Sequence, residues 1–418
     1  MSSESPLPLP MPLREFIALV RGTTYKGDLV GQPGPVLLGL ASIQPDGGFR
    51  RGSFKTYGGE SPGKITLGPG DIYVSLKDVT QSGDLLGSVA RVPADIAAGR
   101  LTQDTVKLEF SGRPLDKDYL YWLLRTPIYR AYCRARATGT TTLGLARDDF
   151  LDFPVTEPGD EELSLVELLE ALDRRIAILR ETNATLEAIA QALFKSWFVD
   201  FDPVRAKRQG LAPAGMDEAT AALFPDSFEE SALGLVPRAW GTGKVEDLLE
   251  LAYGKALKAT DRVAGDVPVY GSGGVTGLHN CAFVDYPTVV VGRKGTVGSL
   301  YWEDRPCFPI DTVFYVRARL PLTFCYYQLR VLGLEGMNTD GAVPGLNRNN
   351  VYRLAVVIPP PSVLAAFDDL AANLRSKIFA NEMQSQTLTT LRDTLLPRLI
   401  SGQLRLPEVV AEATEAVT

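Results

Sequence analysis

Residues 172–199 read LDRRIAILRETNATLEAIAQALFKSWFV, and residues 374–401 read LRSKIFANEMQSQTLTTLRDTLLPRLIS. The second segment aligns with the first without a gap at an offset of 202. In each copy, side chains at alternating intervals of four and three residues form one stripe, starting at Leu165 and at Phe367. This spacing is typical of a helix that packs in a coiled coil. The sequence therefore predicts two long helices, each too apolar along one side to be stable alone.

The two predicted helices would bury their stripes most simply against each other as an antiparallel pair. Polar residues near the middle of each stripe would fix the register, because a buried polar residue costs stability but disfavours slipped pairings. At about 1.5 Å per residue, some 35 residues would give a helix about 50 Å long. The alternative, two unrelated surface helices, does not explain the gapless repeat. The side chains expected to make the pairing are Leu172, Ile176, Leu179, Asn183, Leu186, Leu374, Ile378, Asn381 and Leu388.

The regions outside the helices also repeat. The segment at residues 144–150 resembles the one at 345–351, and Asp104-Thr105-Val106 matches Asp311-Thr312-Val313. Both regions contain β-rich stretches and glycine-containing turns, followed by short helical stretches at 118–124 and 324–329. The predicted fold class is mixed α/β, with two globular α/β domains separated by two long helices in a pseudo-twofold internal repeat.

The predicted order of domains follows from these boundaries. It is a first globular domain at 1–158, a first helix at 159–201, a linker at 202–237, a second globular domain at 238–359, a second helix at 360–405 and a C-terminal tail at 406–418.

The net charge of −7 hides a partition along the chain. Lys and Arg outnumber Asp and Glu by 18 to 15 in residues 11–155, the first block, and by 13 to 11 in residues 238–358, the second block. Elsewhere, acids outnumber bases by 24 to 12. This partition suits a protein that touches DNA with two modules and protein partners with the rest.

The residue types that support most catalysis are scarce in this chain. It has one histidine, four scattered cysteines that we expect to be buried free thiols, and no phosphate-binding GxxxxGK[ST] loop, so neither a catalytic centre nor a metal site is predicted. The glycine-rich run at 271–277 departs from GxGxxG and is expected to form a tight loop.

No run of about twenty apolar residues occurs, and the first residues lack the layout of a secretion signal, so we expect a soluble, cytoplasmic protein.

Cationic and hydrogen-bonding residues in the two blocks are the candidates for DNA contact, because Lys and Arg can bind phosphates while Arg, Ser and Tyr can reach base edges. In the first block they are Arg50, Arg51, Lys55, Tyr57, Lys77, Arg91, Thr140, Thr141 and Arg147. In the second block they are Lys255, Lys258, Arg262, Tyr270, Ser272, His279, Arg293, Lys294 and Arg348.

Several motifs resemble one known family. The run ALFKSWFVDFDPV at 192–204 closely resembles the signature of type I restriction-modification specificity subunits, and LRDTLLPRLISG at 391–402 is similar to their C-terminal signature. The segment VPVYGSGG at 267–274 and the two Gly-Leu-x-Arg segments, at 144–147 and 345–348, also look like the target-recognition domains of this family. The resemblance covers nearly the whole chain.

The resemblance implies a non-catalytic subunit that binds double-stranded DNA. Each block would read one half of a bipartite, asymmetric site, while the helices would act as a spacer and dock two methylation subunits. The methylation subunits would bring S-adenosylmethionine and methylate adenine, and restriction subunits would supply ATP- and Mg-dependent motor and nuclease activity. No cofactor or metal would be bound by this chain, and no membrane is implied.

Three alternatives remain open at the level of the sequence. An enzyme would use the glycine-rich loop with Lys255 and His279 to handle phosphate, and purified chain would then turn over a nucleotide. A structural coiled-coil adaptor would show no sequence-dependent DNA binding even with partners. A third possibility keeps the fold but places the chain in a complex that only methylates.

Overall fold

The computed structural model describes residues 9–338, except positions 46, 53, 81 and 141, and residues 345–398. The chain divides into two compact units: unit 1 contains residues 1–178 and 384–418, and unit 2 contains residues 179–383. Helices and sheets occur in both units, which confirms the predicted mixed α/β class.

Unit 1 holds two main sheets and a set of short helices. Its strands are β1 (Met11–Pro12), β2 (Ile17–Arg21), β3 (Val36–Leu38), β4 (Thr66–Leu67), β5 (Ile72–Ser75), β6 (Lys77–Asp78), β7 (Val89–Arg91), β8 (Gly99–Leu101), β9 (Thr105–Phe110), β10 (Leu143–Gly144) and β11 (Pro154–Val155). Its helices are α1 (Lys117–Leu123), α2 (Pro127–Ala135), α3 (Arg147–Leu151), part of α4 (Asp160–Phe198) and the end of α10 (Pro361–Leu395). The larger sheet has the antiparallel order β2-β9-β5-β7, and the smaller sheet has the order β3-β8-β4.

The core of unit 1 forms where the central strand β5 is buried along its whole length. Its Tyr73 packs with Leu38 and Leu101, and the Tyr73 hydroxyl lies 2.7 Å from the hydroxyl of Ser42. Burial is the main reason that the pKa of Tyr73 is raised. The helix that follows the sheet, α1, begins where Asp116 accepts a hydrogen bond from a backbone amide in its first turn, a cap that stabilises a helix by about 1 kcal/mol.

Unit 2 contains the remaining elements. Its helices are the rest of α4, α5 (Asp202–Arg208), α6 (Glu218–Ala222), α7 (Val245–Leu248), α8 (Leu322–Val331), α9 (Arg348–Tyr352) and part of α10 (Pro361–Leu395). Its strands are β12 (Phe228–Ser231), β13 (Gly234–Pro237), β14 (Gly241–Lys244), β15 (Leu249–Tyr253), β16 (Val267–Gly271), β17 (Gly274–His279), β18 (Thr288–Gly292), β19 (Leu300–Glu303), β20 (Phe308–Pro309), β21 (Val313–Ala318) and β22 (Ala355–Ile358).

The four-stranded sheet of unit 2 has the antiparallel order β15-β21-β18-β19. Numbered along the chain, its strands lie in the order first, fourth, second, third, which is also the order of the four-stranded sheet in unit 1. The central strand β18 is buried at every position, as β5 is in unit 1. The two blocks therefore build the same sheet from largely different sequences.

An aromatic core in unit 2 explains why the run at 192–204 is so rich in large rings. Phe194 and Phe198, at the end of α4, lie with their ring centroids 5.6 and 5.1 Å from the ring of Phe324. The segment interpreted as a linker, 202–237, holds α5, α6 and the β12–β13 hairpin, and its Val204 and Phe224 are buried in the same core.

Within unit 2, α4 and α10 contact each other through their polar middles. The Asn183 side-chain amide donates to the carbonyl of Ile378 at 3.1 Å, and the Asn381 amide donates to Asn183 Oδ1 at 2.8 Å. Further along α4, Glu187 lies 3.4 Å from a guanidinium nitrogen of Arg375. Because positions rise along α4 while they fall along α10, the two helix segments in this unit run antiparallel.

Within unit 1, the same two helices are joined by charge. Arg392 Nη1 on α10 lies 2.6 Å from Asp173 Oδ1 on α4, and the buried Arg125 lies 3.4 Å from the other Asp173 oxygen. Asp173 therefore links α4 both to α10 and to the loop after α1.

Two further sequence expectations concern cysteines and membranes. Cys133, Cys307 and Cys325 are buried free thiols, but the expectation is wrong for Cys281, which is exposed because it follows the edge strand β17. Among the residues that the structure describes, no helix is long and apolar enough to cross a membrane.

Candidate nucleic-acid interface

A cavity of about 320 Å³ in unit 1 brings together two of the predicted cations. Lys77, on β6, and Arg147, at the start of α3, both line it. Arg147 is exposed, and its Nη2 donates to the carbonyl of Leu19 at 2.9 Å. The other residues of the wall are Arg21, Leu76, Gln103, Asp104, Val106, Thr138, Gly144, Leu145 and Ala146. The cavity is therefore cationic and open to hydrogen bonding.

Other predicted residues of the first block lie on its exposed loops. Arg50, Arg51 and Lys55 are exposed between β3 and β4, and Arg51 forms a surface ion pair of 2.7 Å with Asp95. Thr140 is exposed before β10. Thr141 lies outside the described residues.

Two predicted residues of the first block point into the protein. Arg91 makes two hydrogen bonds, of 3.0 and 2.8 Å, with the carboxylate of Glu170 on α4. Burial alone would lower the pKa of Arg91, but these bonds outweigh it and raise the pKa. Tyr57 is buried, with the guanidinium of Arg100 4.7 Å above its ring. Both side chains stabilise the unit in this structure.

In the second block, two predicted arginines share one aromatic ring. The guanidinium carbons of Arg293 and Arg348 lie 5.1 and 4.9 Å from the ring centroid of Tyr253, which is 49% exposed. Arg348 Nη1 also donates to the carbonyl of Leu251 at 3.3 Å. Cation–π contacts of this kind stabilise by about 0.5–1 kcal/mol at exposed sites. They hold two guanidinium groups at the end of β15.

The lysines of the second block are exposed. Lys255, Lys258 and Lys294 all lie on loops at the surface of unit 2. Arg262 is half-buried, and its Nη1 donates to the carbonyl of Thr276 at 2.6 Å. That bond fastens the loop before β16 onto the edge strand β17.

Three predicted residues near the glycine-rich run have structural contacts. The Tyr270 hydroxyl is buried and donates to Glu303 at 2.9 Å; burial raises the pKa of Tyr270, and the Glu303 carboxylate raises it further. His279 is also buried, and its Nδ1 accepts a hydrogen bond of 3.0 Å from the backbone amide of Val263. Ser272 is half-buried, and its carbonyl accepts from two neighbouring side chains.

The residues predicted to pair the helices lie on the covered sides of α4 and α10. Six of them are buried: Leu172, Ile176, Leu179, Ile378, Asn381 and Leu388. The other three are half-buried: Asn183, Leu186 and Leu374.

Arg21 and Tyr253 were missed from the sequence although each lies in the site of its block. Each ends the first strand of its sheet and is followed by a glycine, Gly22 or Gly254. A Cβ on either glycine would lie 2.0 or 2.1 Å from a backbone carbonyl oxygen, so only glycine fits. A glycine directly after the first strand of each block was the signal that could have marked both positions.

No metal centre is formed by the residues that the structure describes, since no group of three or more His, Cys, Asp or Glu side chains gathers there. The polar groups that converge in each block are mainly cationic. Such an arrangement can bind an anion and donate hydrogen bonds.

Comparison with known proteins gives curated relatives and solved structures that resemble the chain; no family model matches it. The HindI specificity subunit of a type I restriction enzyme from Haemophilus influenzae is 25% identical over 315 residues, which cover 59% of this chain and 67% of that protein. The MjaIX specificity subunit from Methanocaldococcus jannaschii is 24% identical over 319 residues, 70% of each chain. The crystal structure of the type I restriction-modification S subunit from M. genitalium matches 96% of this chain and 98% of its own, with a TM-score of 0.56 and 16% identity, and so shares its fold. The chain is therefore a homologue of the specificity subunits of type I restriction enzymes.

Proposed function

We propose that this chain selects the DNA site of a type I restriction-modification complex and has no catalytic centre of its own. Each block would read one half of a bipartite, asymmetric site on double-stranded DNA. One observation carries the proposal: both blocks build the same sheet order and gather cations at the end of its first strand. The names of the two curated relatives support the same role.

The two long helices are proposed to pair as an antiparallel coiled coil that completes a pseudo-twofold internal repeat. The contacts Asn381–Asn183 and Arg392–Asp173 support this pairing. We propose that the length of the helices fixes the number of base pairs between the half-sites. The excess of acids outside the two blocks suits contact with protein rather than phosphate, so two methylation subunits and the restriction subunits would dock there.

Cofactors would belong to the partners. S-adenosylmethionine would be bound by the methylation subunits, ATP and Mg by the restriction subunits, and the assembly would work in the cytoplasm. This chain would contribute orientation and choice of site, since sequence is read by contacts to base edges and by DNA shape.

A deletion experiment tests the proposal. The chain is expressed with the methylation subunit of its own complex, and methylated adenines in host DNA are mapped by single-molecule sequencing. We expect a two-part motif with a gap of fixed length that disappears when this chain is omitted. Methylation that continues unchanged without the chain would refute the proposal.

A further inference from the structure

The Gly-Leu-x-Arg segment of the first block lies beside a lysine through two backbone pairings. Strand β10 places Gly144 opposite Lys77, and the Leu145 amide donates to the carbonyl of Leu76 at 2.9 Å. Lys77 therefore comes directly after Leu76, the residue whose carbonyl accepts the hydrogen bond from the segment. Its side chain lines the cavity described above.

The second block repeats this arrangement. Gly345 pairs with Lys294 in an antiparallel bridge, and the Leu346 amide donates to the carbonyl of Arg293 at 2.8 Å. Lys294 likewise comes directly after Arg293, the residue whose carbonyl accepts the hydrogen bond from the segment. The same relation between segment and lysine thus occurs in both units.

The arginine of each segment fixes it to the first strand of the sheet. Arg147 donates to the carbonyl of Leu19, the third residue of β2, and Arg348 donates to the carbonyl of Leu251, the third residue of β15. Backbone hydrogen bonds on one side and a guanidinium on the other hold each segment beside its lysine. Neither lysine side chain is needed to maintain this backbone arrangement.

We propose that Lys77 and Lys294 are equivalent phosphate contacts, one in each half of the DNA site. The inference rests on the proposed function and deepens it. Two half-sites of different sequence share only their sugar-phosphate backbone, so a feature that the two blocks share fits best with what the half-sites share. Lysine suits this role because its ammonium binds a phosphate as a compact point charge.

The present partner of Lys77 would not prevent such a contact. Its Nζ lies 3.1 Å from Asp104 Oδ1, and the two side chains are 45% and 26% exposed. Pairs as exposed as this stabilise by about 0–1 kcal/mol, so a phosphate can compete with the carboxylate. Lys294 is exposed on the loop after β18.

The test measures how DNA affinity depends on salt. The chain is purified with its methylation subunits as wild type, K77Q, K294Q and the double variant, and each is titrated at several salt concentrations with a DNA that carries the mapped motif and with a scrambled one. Each lost phosphate contact should reduce the slope of log K against log salt by about 0.9, so the double variant should lose about 1.8. The loss should be the same on both DNAs, and the methylated motif should not change.

Two controls separate charge from folding and from position. K77R keeps the charge and should keep the wild-type slope. K244Q removes a lysine of similar exposure, 55%, that is also paired with an acid but does not belong to the repeat, and it should leave the slope unchanged.

Three results would overturn the inference: slopes that stay at the wild-type value in K77Q and K294Q, a methylated motif that relaxes in one half, or loss of the methylation subunits during purification. The second would make the lysines base contacts, and the third would make them protein contacts. The slope is also measured on scrambled DNA, where phosphate contacts are made without sequence recognition. The slope therefore tests the inference even if the wild-type complex shows no sequence preference. A lack of sequence preference would refute only the proposed function.

Discussion

Replacing Glu187 by alanine removes the carboxylate that joins α8 to the two long helices in unit 2. The carboxylate accepts hydrogen bonds from the hydroxyls of Tyr326 and Tyr327 at 3.4 and 3.2 Å. It also pairs with Arg330 at 3.3 Å and with Arg375 at 3.4 Å. Burial raises the pKa of Tyr326 and of Tyr327, and the charge of Glu187 raises both further. The two tyrosines therefore remain neutral donors at physiological pH.

The loss of stability in E187A depends on the charged and polar groups that lose the Glu187 carboxylate. The Arg375 side chain is only 9% exposed and would keep Asp304 at 3.7 Å as its remaining carboxylate partner. Removing one partner of a buried ion pair costs about 3–5 kcal/mol. Since the Glu187 side chain is 19% exposed, we expect the lower end, about 3 kcal/mol. E187Q keeps an acceptor for the tyrosines and should cost about 1–2 kcal/mol.

Hydrogen exchange, measured peptide by peptide, is the suitable assay because it reports opening of α8 separately from the rest of the chain. A cost of about 3 kcal/mol predicts roughly 100-fold faster exchange across residues 322–331 in E187A. E181A, which removes an exposed acid from the same helix, should change exchange little. If E187A and E181A exchange at the same rate in this segment, Glu187 does not hold α8 in place.

Three smaller predictions concern unfolding in urea. Asn381→Leu should lower the free energy of unfolding by about 1–2 kcal/mol, because it leaves Asn183 Oδ1 without its donor. The double variant with leucine at both 183 and 381 should recover that loss. A double variant no more stable than the single one would contradict this. Burial by itself would raise the pKa of Asp78, but hydrogen bonds from Thr80 and Leu85 together outweigh it and lower the pKa. The stability that Asp78 contributes is therefore present above its unfolded pKa of about 4 and is lost as pH falls. Asp78→Asn should therefore destabilise most at pH 7 and progressively less below pH 4, and an equal effect at all pH values would refute it. Gly254→Ala should lower the free energy of unfolding by about 1–3 kcal/mol, because its Cβ would meet a carbonyl oxygen at 2.1 Å. Gly273→Ala, with open space around the added Cβ, should be nearly neutral. Equal stabilities of the two variants would show that the end of β15 relaxes.

The sequence was most informative where a pattern extends over many residues. The stripes predicted long helices at 159–201 and 360–405, and the structure has helices at Asp160–Phe198 and Pro361–Leu395, with residues 399–405 outside its described part. The short helix expected at 118–124 is found at Lys117–Leu123. Long periodic patterns are reliable because each turn repeats the same requirement for an apolar side.

The side chains of the candidate site were harder to predict. Arg91 and Tyr270 belong to types that bind DNA, yet here they bind Glu170 and Glu303. Whether an arginine or tyrosine faces solvent depends on tertiary partners that lie far away in the sequence, and local spacing does not reveal them. The ring contacts of Tyr253 were unpredictable for the same reason, since Arg293 lies on the loop after β18 and Arg348 begins α9.

Swapping the second block tests most directly whether each block reads one half of the DNA site. Residues 238–358 are replaced by the corresponding block of another specificity subunit, the hybrid is expressed with the methylation subunit, and methylated adenines are mapped. We expect a gapped motif in which one half changes and the other half and the gap stay as they were. A motif that changes in both halves, or in neither, would contradict the division of the site between the two blocks.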